Sequence, residues 1–414
     1  MKTRFYTRRR FLESLAAGAW VALPTIVRAS AIGADGEAAA SERVAMGIIG
    51  CGTRGLQLMS GFAHGRDSYV LAICDVQTKR LDLARQLIEE KPDPPDCSVH
   101  RDFREVLDRA DVDAVAIFTP NHWHAFQAIA ACRAGKDVYC EKPLSHSIRE
   151  GRLMVDAARR YGRVFSGGSQ RVRSDHGQVA DYVANGHIGK VDDVYVGVGG
   201  PPGRYDLPAQ PVPPGFDWDL WVGPAPWRPY NEECVTGSHW HKFEAFGGGS
   251  CGDWGSHRFG GALYAMQLDQ SGPVEVALVL EDRGKSEVLF RFANGLRMHH
   301  TNRYGEGLTY LGTRGRVSDK ERKSLPPQPA SPLRQYHTGP RSQPHSDFLH
   351  CVRTRERPFR DVEYAHRAAT MCHLSNIVRK LHRPLRWDPD GEQFLDDEQA
   401  NRLLSRAYRS PRRL

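Results

Sequence analysis

The sequence predicts an α/β protein: a doubly wound parallel sheet first, then an α+β part with a large, mostly antiparallel open sheet. Three observations predict it. The apolar run 44–49 turns through Gly50-Cys51-Gly52-Thr53-Arg54-Gly55 into a helix-compatible segment, and a second apolar run, 69–74, ends in Asp75. Further apolar runs alternate with helical patterns up to residue 166, as strand–helix repeats do. Beyond residue 190 several strand-like runs alternate in polarity instead, as in an antiparallel sheet with one exposed face.

The chain opens on Thr7-Arg8-Arg9-Arg10-Phe11-Leu12, a short apolar core at 15–27, and Ala29-Ser30-Ala31. A charged region, a short apolar core and a small-residue cleavage site read as an export signal over 1–31, and the paired arginines resemble a twin-arginine signal. The expected partner there is the twin-arginine export machinery, and the expected location is the periplasm or cell envelope. Residues 32–43 read as a linker. The formal net charge is +8; Lys2, Arg4, Arg8, Arg9, Arg10 and Arg28 against Glu13 contribute +5, leaving about +3 for the rest. With no basic stripe and no interleaved aromatics, that balance gives no case for nucleic acid. The nine cysteines are scattered, odd in number and form no CxxC, so neither a zinc site nor a structural disulfide is expected.

The first domain, 44–166, is organised by its glycine-rich turn. Gly50 allows the turn, Gly52 lets backbone approach a pyrophosphate, and Gly55 lets helix and strand pack closely. Thr53 and Arg54 open the helix whose N-terminal N–H groups and dipole favour an anion. Asp75 stands where a carboxylate accepts from ribose hydroxyls, which prefers NAD; Arg54 and Arg80 keep NADP open. Helices follow at 81–88 and 103–109. The strand 113–118 ends at Thr119-Pro120-Asn121-His122-Trp123-His124, and a helix spans 125–134. The strand 137–140 ends at Glu141-Lys142-Pro143. A helix at 148–161 and a strand at 163–166 complete the domain. Ligands of such sheets lie at the carboxyl ends of the strands, where these polar groups collect.

The second domain, 167–401, starts at Gly167-Gly168-Ser169-Gln170-Arg171, with a helix at 174–185, a strand at 191–197 and a Pro/Gly-rich loop at 201–229. Trp218, Trp221, Trp227 and Trp240 crowd one region, either to stack on sugar faces or to fill a loop core. Asp253 and His257 are four apart; in a helix running from Trp254 they share a face, and such a pair can orient a substrate and shuttle a proton. His239 with His241, and His122 with His124, stand at i, i+2, which on a strand shares one face; without a Cys pair or Glu partner, no metal is expected. Strands are expected at 274–280, 287–292, 297–301 and 308–311, helices at 345–352 and 365–381, and a basic tail at 402–414.

Taken together, the turn at 50–55, Thr119-Pro120-Asn121, Glu141-Lys142-Pro143 and Gly247-Gly248-Gly249…Asp253-Trp254-Gly255-Ser256-His257 resemble the glucose–fructose oxidoreductase/inositol dehydrogenase (Gfo/Idh/MocA) family. Trp387-Asp388, Asp397, Ala400-Asn401 and Arg406 resemble its exported bacterial branch. The resemblance implies a Rossmann domain, Lys142, Asp253 and His257 as the catalytic set, with His257 as the base, and assembly as a homodimer or homotetramer. Cofactor contacts are expected from Thr119, Pro120, Asn121, His124, Glu141, Lys142 and Gln170. Substrate contacts are expected from Lys142, Arg171, Trp240, His241, Asp253 and His257. The implied activity is hydride transfer between NAD(P) and a sugar, sugar derivative or cyclitol.

Export sharpens that expectation. Free NAD is not expected to be plentiful outside the cytoplasm, so the cofactor has to stay bound and be recycled. Net sugar oxidoreduction on a retained cofactor is the first expectation. Redox-neutral glycoside cleavage through a transient keto-sugar is the second. A non-catalytic sugar-binding protein is a third, which intact Lys142, Asp253 and His257 argue against.

Overall fold

Six residues, Val44–Ile49 (β1), are buried at every position, as a central parallel strand requires. In the computed structural model the described residues are 42–91, 94–169, 171–280, 286–329, 333 and 343–414, and Val44–Leu414 forms one unit. The expected export signal, nearly all of the expected linker, and Gln170 lie outside the described residues.

β1 leads into helix α1 (Thr53–Ala63), followed by β2 (Ser68–Cys74), α2 (Thr78–Glu89), β3 (Ser98–His100), α3 (Phe103–Leu107) and β4 (Ala114–Ile117). Then come α4 (Asn121–Arg133), β5 (Asp137–Glu141), α5 (Ile148–Arg160) and β6 (Phe165–Gly168). The strands order β3-β2-β1-β4-β5-β6, all parallel. The order reverses between β1 and β4, and a doubly wound sheet opens its ligand crevice at that switch point. Local chemistry sets the helix starts: Asp102 accepts from Arg104 N–H, and Ser147 accepts from Glu150 N–H. β6 ends at Gly168, two residues past the expected boundary, because its pairing with β5 continues to Glu141.

The second half contributes α6 (Arg171–Ser174), α7 (Gly177–Ala184), β7 (Val191–Gly197), α8 (Trp218–Val222), α9 (Glu232–Val235) and α10 (Gly249–Ala265). Strands β8 (Glu275–Leu280), β9 (Ser286–Arg291), β10 (Arg297–His300), β11 (Gly307–Gly312) and β12 (Gly315–Ser318) follow. Helices α11 (Pro344–Thr354) and α12 (Val362–Leu381) precede β13 (Leu385–Asp388) and β14 (Gln393–Phe394). Among the described residues the second sheet has eight strands, ordered β12-β11-β7-β10-β9-β8-β13-β14. It is antiparallel except where β10 runs parallel to β7. α7, α10 and α12 cover one of its faces, around Phe259, Phe290, Met298 and Leu374.

Four expectations need correction. The helix expected at 174–185 is shorter, α7 at Gly177–Ala184, and a separate short helix, α6, comes before it. The helix carrying Asp253 starts five residues before Trp254, at Gly249, where φ is +71°. The loop 201–229 is not featureless: α8 sits in it, and Trp218, Trp221, Tyr230, Phe243 and Phe246 form their own core, which favours the packing reading of these tryptophans. The basic tail is docked. Arg406 Nε is 2.7 Å from the carboxylate of fully buried Glu150, and its Nη2 donates to His122 C=O at 2.8 Å. Arg409 binds the side chain of Asp219 at 2.7 Å and Gly223 C=O at 3.0 Å, while Leu414 packs on the core beside α4. A guanidinium can bridge a carboxylate and carbonyls in one plane, which turns a charged tail into a strap.

Candidate active site

Three cavities among the described residues bear on the site. The first, of about 870 Å³ with its open mouth, is lined by Gly50, Gly52, Thr53, Arg54, Asp75, Arg80, Thr119 and Pro120. Sequence reasoning had named all eight. Gly50 has φ +94°, and a Cβ there would lie 2.8 Å from backbone atoms of Phe118 and Thr119; a Cβ on Gly55 would lie 2.3 Å from Gly50 O. These two positions admit only glycine without moving the turn. α1 has no acidic residue in its first turn, so its orphan N–H groups face the cleft with no competing anion. Arg80 extends across the turn, its Nη1 lying 2.5 Å from where a Cβ on Gly52 would be. This donor set fits a pyrophosphate.

Asp75 does more than wait for a ribose. Its Oδ2 accepts from Cys51 N–H at 2.7 Å and its Oδ1 from Gln77 N–H at 2.9 Å, so the carboxylate ties the glycine turn to the end of β2. Burial pushes its carboxyl up from the usual range, and Arg80 opposes that shift. The far wall is aromatic: Phe103, Phe118, Trp123, Trp221 and Trp240. Trp123 Nε1 donates to Leu220 and Trp221 C=O at 3.1 and 3.0 Å, fastening the α8 segment over the cleft. Of these residues the sequence singles out Trp221, as a sugar-stacking or packing residue, and Trp240, as a substrate contact as well; the structure puts both on the cofactor side.

At the end of β5, Glu141 is buried and accepts from Lys142 N–H at 3.1 Å, with Arg54 Nη2 at 3.6 Å. Burial drives the Glu141 carboxyl upward, against the charges of Lys142 and Arg54. Lys142 Nζ forms an ion pair with Asp253 Oδ1, joining the strand end to α10. One turn on, His257 is buried, and its Nδ1 lies 2.9 Å from Ser169 Oγ. Burial first, then the positive charges of Lys142 and Arg171, hold His257 well below its usual range, so the ring is neutral near pH 7. In the tautomer that donates Nδ1–H to Ser169, Nε2 carries the lone pair and can take a proton. Lys142 is thus brought to Asp253 and His257 across more than a hundred positions of sequence. A smaller cavity of about 310 Å³ touches Lys142, Ser169, Ser256 and Arg360.

Other named residues sit elsewhere. His124 is buried behind the wall, its Nδ1 2.8 Å from Pro143 C=O and its Nε2 2.6 Å from Thr119 C=O, so it braces the ends of β4 and β5 against each other. Asn121 is buried at the start of α4. Arg171 lies over Trp254 in a cavity shared with His257. His241 turns its Nδ1 to Ser238 C=O. The two i, i+2 histidine pairs lie in helical backbone, a 3-10 turn at His239–Lys242 and α4, where alternate residues diverge instead of sharing a face. Ser169 and Arg360 were missed. Ser169 stood in a quoted glycine-rich stretch whose fold partner was unknown, and nothing in the sequence marks Arg360, which is fully buried and donates from Nε to Ser169 C=O.

Residues 44–169 match the model of an oxidoreductase family with an NAD-binding Rossmann fold, and residues 200–414 match the C-terminal alpha/beta domain of the same family. The cofactor is accordingly NAD(H). The chain is 35% identical over 122 residues to an alpha-N-acetylgalactosaminidase of Shewanella oneidensis, a stretch covering 29% of this chain and 27% of that protein. The match therefore spans about a quarter of that relative. Among solved structures, myo-inositol 2-dehydrogenase from Lactobacillus plantarum superposes with TM-score 0.58 at 16% identity, covering 83% of this chain and 99% of that one. Scyllo-inositol dehydrogenase from Lactobacillus casei, with NAD(H) and scyllo-inositol, superposes with TM-score 0.58 at 15% identity, covering 83% and 99%. At these identities the two structures show a common fold. With both domains matched in order along one chain, this protein belongs to the Gfo/Idh/MocA oxidoreductase family.

Proposed function

We propose that this protein is an exported NAD-dependent oxidoreductase acting on a hydroxyl of a sugar, sugar derivative or cyclitol. The observation that carries the reading is the convergence of Lys142, Asp253 and a neutral, buried His257 beside the NAD cleft. When bound, NAD(H) supplies the hydride acceptor or donor. Lys142 orients the reacting oxygen and stabilises negative charge on it, and Asp253 holds the ammonium in place. His257 takes the hydroxyl proton during oxidation and returns it during reduction, oriented by Ser169. The α8 segment and the C-terminal strap close the outer wall of the cleft, which favours a retained cofactor.

The kinship to an alpha-N-acetylgalactosaminidase favours a second reading on the same residues. Transient oxidation at a sugar carbon acidifies the neighbouring C–H, permits departure of a glycosidic group, and is then reversed. One experiment separates the two: purified holoenzyme is mixed with sugars and aryl glycosides while nicotinamide absorbance and aglycone are followed. Accumulation of reduced cofactor without aglycone supports net oxidation, and aglycone release with no lasting absorbance change supports the redox-neutral route. Silence on both channels across neutral and charged sugars counts against an enzyme.

A further inference from the structure

His257 also borders a second cavity, of about 730 Å³ with its open mouth. His257 forms part of its wall, so anything held there borders the group that handles the proton. Trp254, one residue after Asp253, carries two guanidinium groups over its ring, Arg171 at 4.8 Å and Arg258 at 5.0 Å from the centroid. The indole fixes both cations at this wall without neutralising them. Three carboxylates also line the cavity, and two of them pair with a cation of the fold. Arg171 takes up Asp175, Arg258 Nη2 is 3.1 Å from Glu306, and Asp319 faces His176 Nδ1 at 3.6 Å. Among the described residues, Lys320 and Arg322 line the same space with no carboxylate within ion-pair distance, and Lys320 donates to Tyr304 C=O at 3.1 Å. Four cations, Arg171, Arg258, Lys320 and Arg322, therefore share the cavity with three carboxylates, Asp175, Glu306 and Asp319.

The inner wall adds an independent sign. His176 is 4% exposed, and neither ring nitrogen has a hydrogen-bond partner among the described residues. Burial holds its imidazole down at about 4; Asp175 opposes that shift, and Arg258, Arg171 and Arg322 add to it. A buried ring whose two nitrogens have no hydrogen-bond partner among the described residues leaves a polar wall for a ligand to meet.

We infer that this cavity is an anion subsite, and that the substrate is a sugar carrying a carboxylate or sulfate group held by Arg171, Arg258, Lys320 and Arg322 while its reacting hydroxyl meets His257. The inference rests on the dehydrogenase reading of the same site. A carboxylate matches the guanidinium fork in two-point contact, and a sulfate does so with more oxygens. The bound anion also selects the ring carbon presented to the nicotinamide, because the sugar is pinned at its charged end.

The test uses the holoenzyme and three matched methyl glycosides: a neutral hexoside, the corresponding uronide, and the hexoside sulfated on its primary hydroxyl. Binding is read as a thermal shift, and turnover as nicotinamide absorbance. The anionic members bind at least about tenfold tighter than the neutral one, the advantage shrinks as salt rises from low to high ionic strength, and Lys320→Ala/Arg322→Ala abolishes it. Whether uronide or sulfate leads identifies the source of the charge. Equal binding of neutral and anionic glycosides, or an advantage untouched by the double substitution, overturns the subsite even if all three are oxidised. Charge-dependent binding lost in the double variant, with no turnover of any glycoside, leaves the subsite standing and removes the dehydrogenase reading.

Discussion

Ser169 Oγ lies 2.9 Å from His257 Nδ1, so a residue at the end of the NAD-binding domain sets the tautomer of an imidazole on α10. Ser169→Ala should lower kcat by about tenfold or more, with KM changing less, because general-base catalysis of about 10²–10⁴-fold needs the ring correctly protonated. Ser169→Thr, which keeps the hydroxyl, should restore most of it. Equal kcat in the Ala variant would remove Ser169 from the mechanism.

His257 is held well below its ordinary range by burial and by Lys142 and Arg171. Its proton-accepting form therefore persists as pH falls, and the acid limb of kcat/KM for oxidation should sit below about 6.5, the ordinary histidine value. Lys142→Ala removes a charge that depresses it, so any residual activity should have its acid limb displaced toward higher pH. A full pH profile of both proteins checks the direction.

Because both Asp75 oxygens are engaged by backbone N–H groups, its removal should cost structure as well as affinity. Asp75→Ala drops two bonds to a charged acceptor, each worth about 1.5–3 kcal/mol. Lower Tm and loss of co-purifying NAD are expected, with Asp75→Asn intermediate because it keeps one acceptor oxygen. A variant that binds NAD weakly at unchanged Tm would assign Asp75 to the ribose alone.

The strap gives a separate outcome. Arg409 holds Asp219 within α8 and Gly223 just after it, and Leu220 and Trp221 of α8 wall the cleft. Arg409→Ala should speed release of bound nucleotide by roughly tenfold, the scale of about 1.4 kcal/mol, while saturating NAD restores turnover. Retained absorbance after gel filtration measures it, and an unchanged release rate would detach the strap from cofactor retention.

His122 is fully buried, with Nε2 2.9 Å from Trp221 C=O, and burial pushes it down to about 3. The unfolded chain takes up this proton below about pH 6.5 whereas the folded chain does not, so acid favours unfolding. Wild type should lose urea stability relative to His122→Asn as pH falls from 6.5 toward 5. Parallel curves for the two proteins would contradict the assignment.

The amino-acid order alone determined the first domain and most of its cleft. Strand, glycine turn, helix and terminal acid are local in sequence, and the steric demands of Gly50 and Gly55 are set within a few residues. It also determined the identity of Lys142, Asp253 and His257, because each stands in a short motif. Tertiary structure alone decided how they work. The Lys142–Asp253 ion pair, the Ser169–His257 contact and the Arg360 support link distant positions, and no periodicity encodes a partner a hundred residues away. The basic end of the chain read as a solvated tail because charge is the only property visible in a line of residues. Folding supplied buried Glu150 and the carbonyls of His122 and Gly223, and with acceptors in reach the same arginines become anchors.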